Sequence, residues 1–264
     1  MGSVVTLCTD FGTADGYVAA MKGVILAIAP HATLVDISHE VTRQAIAEGA
    51  FVLHSAFSYF PRGTVHLVVV DPGVGTGRRG MALHAQGYYF VAPDNGVLTY
   101  VLQGAESFEA VVLTESAYWR TEVSHTFHGR DVFAPVAAHL AIGVPLSSLG
   151  QPVADLVRLD LPTPSVGKDG SIAGRVIYVD HFGNLVTNIP TAMLLRRENL
   201  CIKVGQVALW GLATTYSSVG VGKTLALVGS HGNLEIAVRE GSAAEILGVA
   251  IDEQVLVQWQ RARS

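Results

Sequence analysis

Residues 64–80 read TVHLVVVDPGVGTGRRG, and the fold turns on how this stretch is taken. Positions 64–70 are β-branched and almost wholly apolar, and they stop at Asp71. Such a short run is the pattern of a strand buried on both faces, and it falls far short of the ~18 apolar residues of a membrane span. Behind Asp71, Gly73 and Gly75 allow close backbone approach, and Arg78 stands near enough in sequence to fold back on the carboxylate. That pairing suits either a structural ion pair or a chemically active one.

Working outward, positions 4–9 and 33–37 repeat the strand pattern, as do 88–92 on the other side. Between the first three strands, Val18, Met21, Ile25 and Ile28 recur at helical spacing, and so do Ile46, Leu53, Phe57 and Phe60. The alternation predicts a layered α/β domain with a mainly parallel sheet over residues 1–160. A Pro- and Gly-rich stretch at 161–170, LPTPSVGKDG, reads as a linker. Beyond it, short segments at 172–179, 185–189, 224–228, 234–238 and 254–259 are punctuated by glycine. They predict a smaller antiparallel β-barrel over 171–264.

Two motifs mislead. Gly75 to Gly80 matches G-x-G-x-x-G, but a dinucleotide fingerprint must open a helix, and MALHAQGYYFVA continues with strand-like residues. Gly222-Lys223-Thr224 suggests a phosphate loop, but position 217 is Ser where that motif needs Gly.

Composition limits the function classes. Seventeen Lys and Arg against 22 Asp and Glu give a net charge of −5, with no electrostatic footprint for nucleic acid. Charged residues are 15% of the chain, against about 25% in an average soluble protein, which predicts that other subunits cover part of the surface. Cys8 and Cys201 are too few for a disulfide scaffold or a zinc site. The start, MGSVVTLCTDFG, has no basic leader, so the expected location is the cytoplasm, with no membrane partner.

Polar groups stand just past successive strands: Asp10, Ser38-His39, Asp71 and Asp94-Asn95. In an open α/β sheet the carboxyl ends of the strands form the ligand crevice, so these groups converge there, although Asp94-Asn95-Gly96 also suits a plain turn. HTFHGRDVFAP adds His125, His128, Arg130 and Asp131 ahead of a helical stretch through His139 and Leu140.

Seven ordered motifs then point to one family. TDFGTADGYVAAMKGVI, VDISHEV, VVVDPGVGTGRR, APDNGVL, FHGRDVFAP, VDHFGNLVTNI and GSHGNLEIAVREGSAAEILG together resemble the S-adenosylmethionine hydroxide adenosyltransferases, relatives of fluorinase and chlorinase. The resemblance implies splitting of S-adenosylmethionine by water into adenosine and methionine, without metal or redox cofactor. It also implies a homotrimer whose active sites lie between the first domain of one subunit and the second domain of its neighbour. An Asp-Arg-His triad falls on Asp71, Arg78 and His128, with Arg79 the competing arginine.

Among substrate contacts the resemblance implies Asp10 for the ribose diol, and Asp15, read as a first-turn helix residue, with Asp180 for the methionine amine. Phe182 and Asn184 fall to adenine and Ser230 to the methionine carboxylate. Asn95 and Phe127, in the APDNGVL and FHGRDVFAP motifs, join this set. His231 stands where the halogenases carry Arg, Gly129 where the fluorinase has Ser, and Asp71 where it has Tyr. These departures favour hydrolysis over halogenation. The rival readings are a halogenase, a non-catalytic S-adenosylmethionine or adenosine binder, and a metal-dependent hydrolase using Asp10, Asp71 and His128.

Overall fold

The apolar run at 64–70 becomes a strand because it has two cores to enter: Val65, Leu67 and Val69 join one, Val68 and Val70 the other. The computed structural model describes residues 3–194 and 199–259, so the expected domain ends at 1 and 264 lie outside the described residues. The chain divides into two units, Met1–Leu159 and Asp160–Ser264. In the first, β1 (Val4–Thr9), α1 (Tyr17–Ile28), β2 (Thr33–Ser38), α2 (Ile46–Ala56) and β3 (Val65–Val69) follow in order. Then come β4 (Gly80–Ala85), β5 (Tyr88–Pro93), α3 (Thr99–Gln103), β6 (Phe108–Leu113), α4 (Ala134–Ala141) and β7 (Gly150–Pro152).

These seven strands form one sheet in the order β2-β1-β3-β5-β4-β6-β7. The first four run parallel to their neighbours, as the alternating pattern predicts. The remaining pairings are antiparallel, so the sheet is mixed. The change of direction comes from a tight hairpin: Gln86 and Gly87 both take positive φ, 54° and 81°, and turn β4 straight into β5. Helices α1 and α4 supply one core, with Met21, Ile25, Val136 and Ala137 fully buried. Helix α2 supplies the other through Ala50 and Leu53, while Phe57 packs there from a short 3₁₀ turn beyond it.

The second unit carries β8 (Ser165–Val166), β9 (Ile172–Val179), β10 (Leu185–Pro190), β11 (Leu200–Val204), β12 (Val207–Trp210), β13 (Thr224–Val228), β14 (Asn233–Val238), α5 (Ala243–Leu247) and β15 (Gln254–Trp259). The stretch read as a linker therefore contains β8, which pairs with β9. The main path is β12-β11-β15-β9-β10-β14-β13, antiparallel throughout. Its edges nearly meet, because Ala213, just past β12, bridges to Leu227 of β13. Side chains such as Ile172, Leu185, Ile202, Ile236 and Val257 fill the inside. Among the described residues no helix is long and apolar enough to cross a membrane.

One polar pair sits inside the first unit. Thr6 Oγ1 lies 2.7 Å from His66 Nδ1, both residues are fully buried, and the imidazole stacks on Phe90 at 5.1 Å between ring centres. Burial lowers the His66 pKa from 6.5 to about 4. The unfolded chain binds this proton at higher pH than the folded one, so the contribution is complete above pH 6.5 and is lost as pH falls toward 4. At ~1.4 kcal/mol per unit it reaches about 3 kcal/mol. Thermal unfolding followed from pH 7 to pH 4 is expected to show the falling stability, and the double replacement Thr6→Val with His66→Leu is expected to flatten that slope.

Candidate functional site

The chain leaves β1 outward to β2 and returns across β1 to β3, so its connections diverge between β1 and β3. That is the switch point at which an open α/β sheet leaves a crevice beyond its carboxyl ends. The register pairs Thr9 with Val69, so Asp10 and Asp71 both lie just past the carboxyl ends of neighbouring strands, offset by one residue.

Asp71 is held by Arg78. Nε of Arg78 donates to both carboxylate oxygens, at 2.8 and 2.9 Å, and Nη2 reaches Oδ2 as well. The glycine-rich turn makes this possible. Gly75 has φ +76°, and a Cβ there would come within 2.6 Å of the His125 carbonyl oxygen. Nη2 also donates to His128 Nδ1 at 2.9 Å. A guanidinium can only donate, so Nδ1 must be the acceptor and the ring proton of neutral His128 sits on Nε2. Burial and then the Arg78 charge hold the His128 pKa below its ordinary value of 6.5.

His128 caps a single π-helical turn, Gly129–Phe133, that runs into α4. Its position is fixed from below by Asp131, which is fully buried. That carboxylate accepts from Arg130 at 2.7 and 2.9 Å, from Arg120 at 3.2 Å and from the Ser124 N–H at 2.9 Å. Burial pushes the Asp131 pKa up, and the hydrogen bonds from Arg130 and Ser124 with the Arg130 and Arg120 charges together outweigh it, so the pKa is lowered. Asp71 and His128 face a cavity of about 400 Å³ whose other walls include Phe11, Tyr17, Phe127 and Gly129.

Arg79 goes elsewhere. It donates to Asp94 at 2.8 Å and to the Asp155 carboxylate and carbonyl at 3.1 and 2.5 Å, while Asp94 accepts from the Val157 N–H. Arg78 is therefore the arginine that meets Asp71. Asn95 ties β5 back to β3, donating to the Val70 carbonyl at 2.8 Å. Asp10 is not on the cavity wall and accepts from the Gln44 N–H at 2.8 Å. Asp15 is exposed and precedes α1, which starts at Tyr17 after Gly16; the first-turn expectation is corrected accordingly, since the helix has no acidic residue in that turn.

In the second unit, Asp180 organises a tight turn. Its Oδ1 accepts from the N–H groups of Phe182 and Asn184, at 2.9 and 2.8 Å, and its Oδ2 accepts from Asn184 Nδ2 at 2.9 Å. Gly183 has φ +80° and presses against Ser242, leaving no room for a Cβ. The turn displays the Phe182 ring at 73% exposure beside buried Asn184, and both line a second cavity of about 550 Å³ with Tyr216, Arg239 and Ser242. Ser230 and His231 are exposed in the β13–β14 turn, off that cavity's wall.

Phe11 and Tyr17 were quoted in a motif without a role, and the period of α1 could have pointed to Tyr17 as its first residue. Glu235 lies in the GSHGNLEIAVREGSAAEILG motif without a role, and Tyr216 carried no sequence signal. The Tyr216 hydroxyl donates to Glu235 at 2.7 Å, and Glu235 is buried. Burial first, then the carboxylate, raises the phenol pKa to about 12. Among the described residues no three His, Cys, Asp or Glu side chains are grouped to hold a metal ion.

Comparison with known proteins extends the geometry. The family model described as SAM hydroxide adenosyltransferase N-terminal domain matches residues 5–150, and its C-terminal counterpart matches residues 174–256. The chain is 39% identical to the (R)-S-adenosyl-L-methionine hydrolase of Salinispora tropica, covering 96% of this chain and 97% of that one. It is 31% identical to a fluorinase of Nocardia brasiliensis, with 91% and 92% covered. The crystal structure of an uncharacterized conserved protein from Thermotoga maritima aligns with TM-score 0.90 at 37% identity, covering 96% of this chain and 99% of that one. With both halves matched by one family over nearly the whole length, the chain belongs to the SAM hydroxide adenosyltransferase family.

Proposed function

We propose that this chain hydrolyses S-adenosylmethionine to adenosine and methionine by in-line attack of water on the ribose 5′-carbon. The observation that carries the mechanism is Arg78 bridging Asp71 and His128 at one cavity. The identity to a protein named (R)-S-adenosyl-L-methionine hydrolase supports the reaction. The sulfonium leaves as a neutral thioether, so its departure needs no acid and no metal or redox cofactor. What the protein supplies is a water held ~3–3.5 Å from the carbon.

The tautomer assigns the roles. His128 Nε2–H donates to the water oxygen, and Asp71 accepts a water proton. As the oxygen–carbon bond forms and the carbon–sulfur bond breaks, the bonding pair passes to sulfur and the oxygen becomes a strongly acidic oxonium. A carboxylate still paired with arginine is basic enough to take that proton, which then passes to solvent. Arg78 holds the Asp71 carboxylate in place.

Substrate contacts complete the reading. Asp10 takes the ribose diol, Asp15 and Asp180 the amine, Phe182 and Asn184 the adenine, Ser230 and His231 the carboxylate, with Asn95 and Phe127 as further substrate contacts. These groups are divided between two units, which supports a homotrimer in which the first unit of one subunit is completed by the second unit of its neighbour. The proposed compartment is the cytoplasm, where buried Cys8 and Cys201 stay reduced.

Incubating chelator-treated protein with S-adenosylmethionine in water enriched in heavy oxygen is expected to give adenosine labelled at its 5′-oxygen, with methionine. Unlabelled or absent adenosine overturns the proposal. Asp71→Ala is expected to lower kcat by about 100-fold or more with KM little changed, the range of a lost general base.

Activity needs His128 neutral, and its pKa is held below 6.5. The acid limb of kcat is therefore expected below pH 6.5, and His128→Gln is expected to lower kcat and remove that limb. An unchanged profile in the variant contradicts the assigned role. Finally, Asp71→Ala and Asp180→Ala subunits, each inactive alone, are expected to recover about a quarter of wild-type activity when co-assembled at equal ratio. No recovery indicates sites built within one chain.

A further inference from the structure

The first-unit cavity is walled on one side by three aromatic rings whose arrangement the proposed catalytic roles leave unused. Phe11 and Phe127 lie 5.7 Å apart at 73°, Tyr17 and Phe127 5.1 Å apart at 89°, and Phe11 and Tyr17 5.9 Å apart at 56°. No pair is stacked face to face, so the rings make a corner rather than a slab. Gly129 lets the corner close: a Cβ there would lie 3.2 Å from Phe127 and 3.4 Å from Phe11.

The charges around the cavity do not attract a cation. Asp71 is committed to Arg78, and Asp131 to Arg130 and Arg120, so three guanidinium groups answer two carboxylates. A sulfonium has no N–H or O–H and cannot be held by a hydrogen bond it donates. What remains to recognise its charge is the negative face of an aromatic ring. Phe127 already receives a cation, with the Arg130 guanidinium carbon 5.1 Å from its ring centre. Phe11 and Tyr17 are the rings left for a ligand, and Tyr17 is half exposed. Tyr17 is also the first residue of α1.

We infer that Phe11 and Tyr17, braced by Phe127, form a receptor for the sulfonium of the substrate and set the preference for the charged substrate over neutral thioethers. This rests on the S-adenosylmethionine reading. The thioether formed by the reaction has lost the charge, so the same rings hold the product less tightly than the substrate. Phe11 and Tyr17 act here on specificity and leave the proton transfer to Asp71.

The test compares two ligands that cannot react. One is S-adenosylhomocysteine, a neutral thioether; the other is the substrate analogue with a quaternary ammonium nitrogen, which like the sulfonium carries no N–H, in place of the sulfonium. Calorimetric titration of wild-type protein is expected to favour the charged ligand by about tenfold or more, the range of a desolvated cation–π contact. Tyr17→Leu and Phe11→Leu are each expected to cut that preference at least threefold, about one exposed-site contact, while Tyr17→Phe, which keeps the ring, retains it. A preference unchanged in both leucine variants, or lost in Tyr17→Phe, overturns the receptor and leaves the hydrolase reading standing. Failure of wild-type protein to bind either ligand overturns both.

Discussion

The geometry of the candidate site hangs on one guanidinium. Arg78 faces Asp71 with Nε and shares Nη2 between that carboxylate and the His128 ring. The contact spans the sheet and the loop ahead of α4, elements 50 residues apart in sequence. Because a guanidinium stays charged at any pH the protein meets and can only donate, it does two things at once: it holds the Asp71 carboxylate in place and leaves neutral His128 with its proton on Nε2. A lysine in its place would keep the charge and lose the fork that reaches both partners.

Support for that guanidinium is layered. The turn from Asp71 to Arg78 closes only because Gly75 takes a backbone conformation that a side chain would obstruct. Arg78 also lies over the Phe133 ring, 5.0 Å from its centre, so the π-helical turn that follows His128 presses on the arginine as well. Asp131 ties the same turn to Arg120 and Ser124. Replacing Asp131 would therefore disturb His128 without touching any group that meets the substrate. Such nested constraints are how a site keeps its geometry when its own members are only partly buried.

Much of this was legible in the sequence, and the reasons are local. Apolar runs that stop at an acid mark the ends of buried strands, so Asp10 and Asp71 could be found from pattern alone. The choice between Arg78 and Arg79 could not. They are neighbours in an extended segment, their side chains point to opposite sides, and only the fold shows that one side holds Asp71 and the other Asp94 and Asp155. The mixed character of the sheet was hidden for a similar reason, since strand pattern carries no direction. Strands β11 and β12 were missed because LCIKV and VALW, though largely apolar, run for only five and four residues, too short for a period to show. The Tyr216–Glu235 pair joins positions with no shared periodicity, so long-range contact alone defines it.

The same hydrogen-bond inventory bears on which nucleophile the cavity admits. One wall presents an acceptor, the Asp71 carboxylate, and the other a donor, the His128 Nε2–H. A nucleophile satisfying both must donate and accept, which water does. A halide ion only accepts, so it would leave Asp71 facing an anion, at a cost of several kcal/mol if the effective dielectric is about 20. The Arg78 pairing reduces that repulsion at a distance but not at contact, where the carboxylate lone pairs still face the nucleophile. The chain is similar to a hydrolase and to a fluorinase alike. The position of a single acceptor therefore says more about the nucleophile than the fold does.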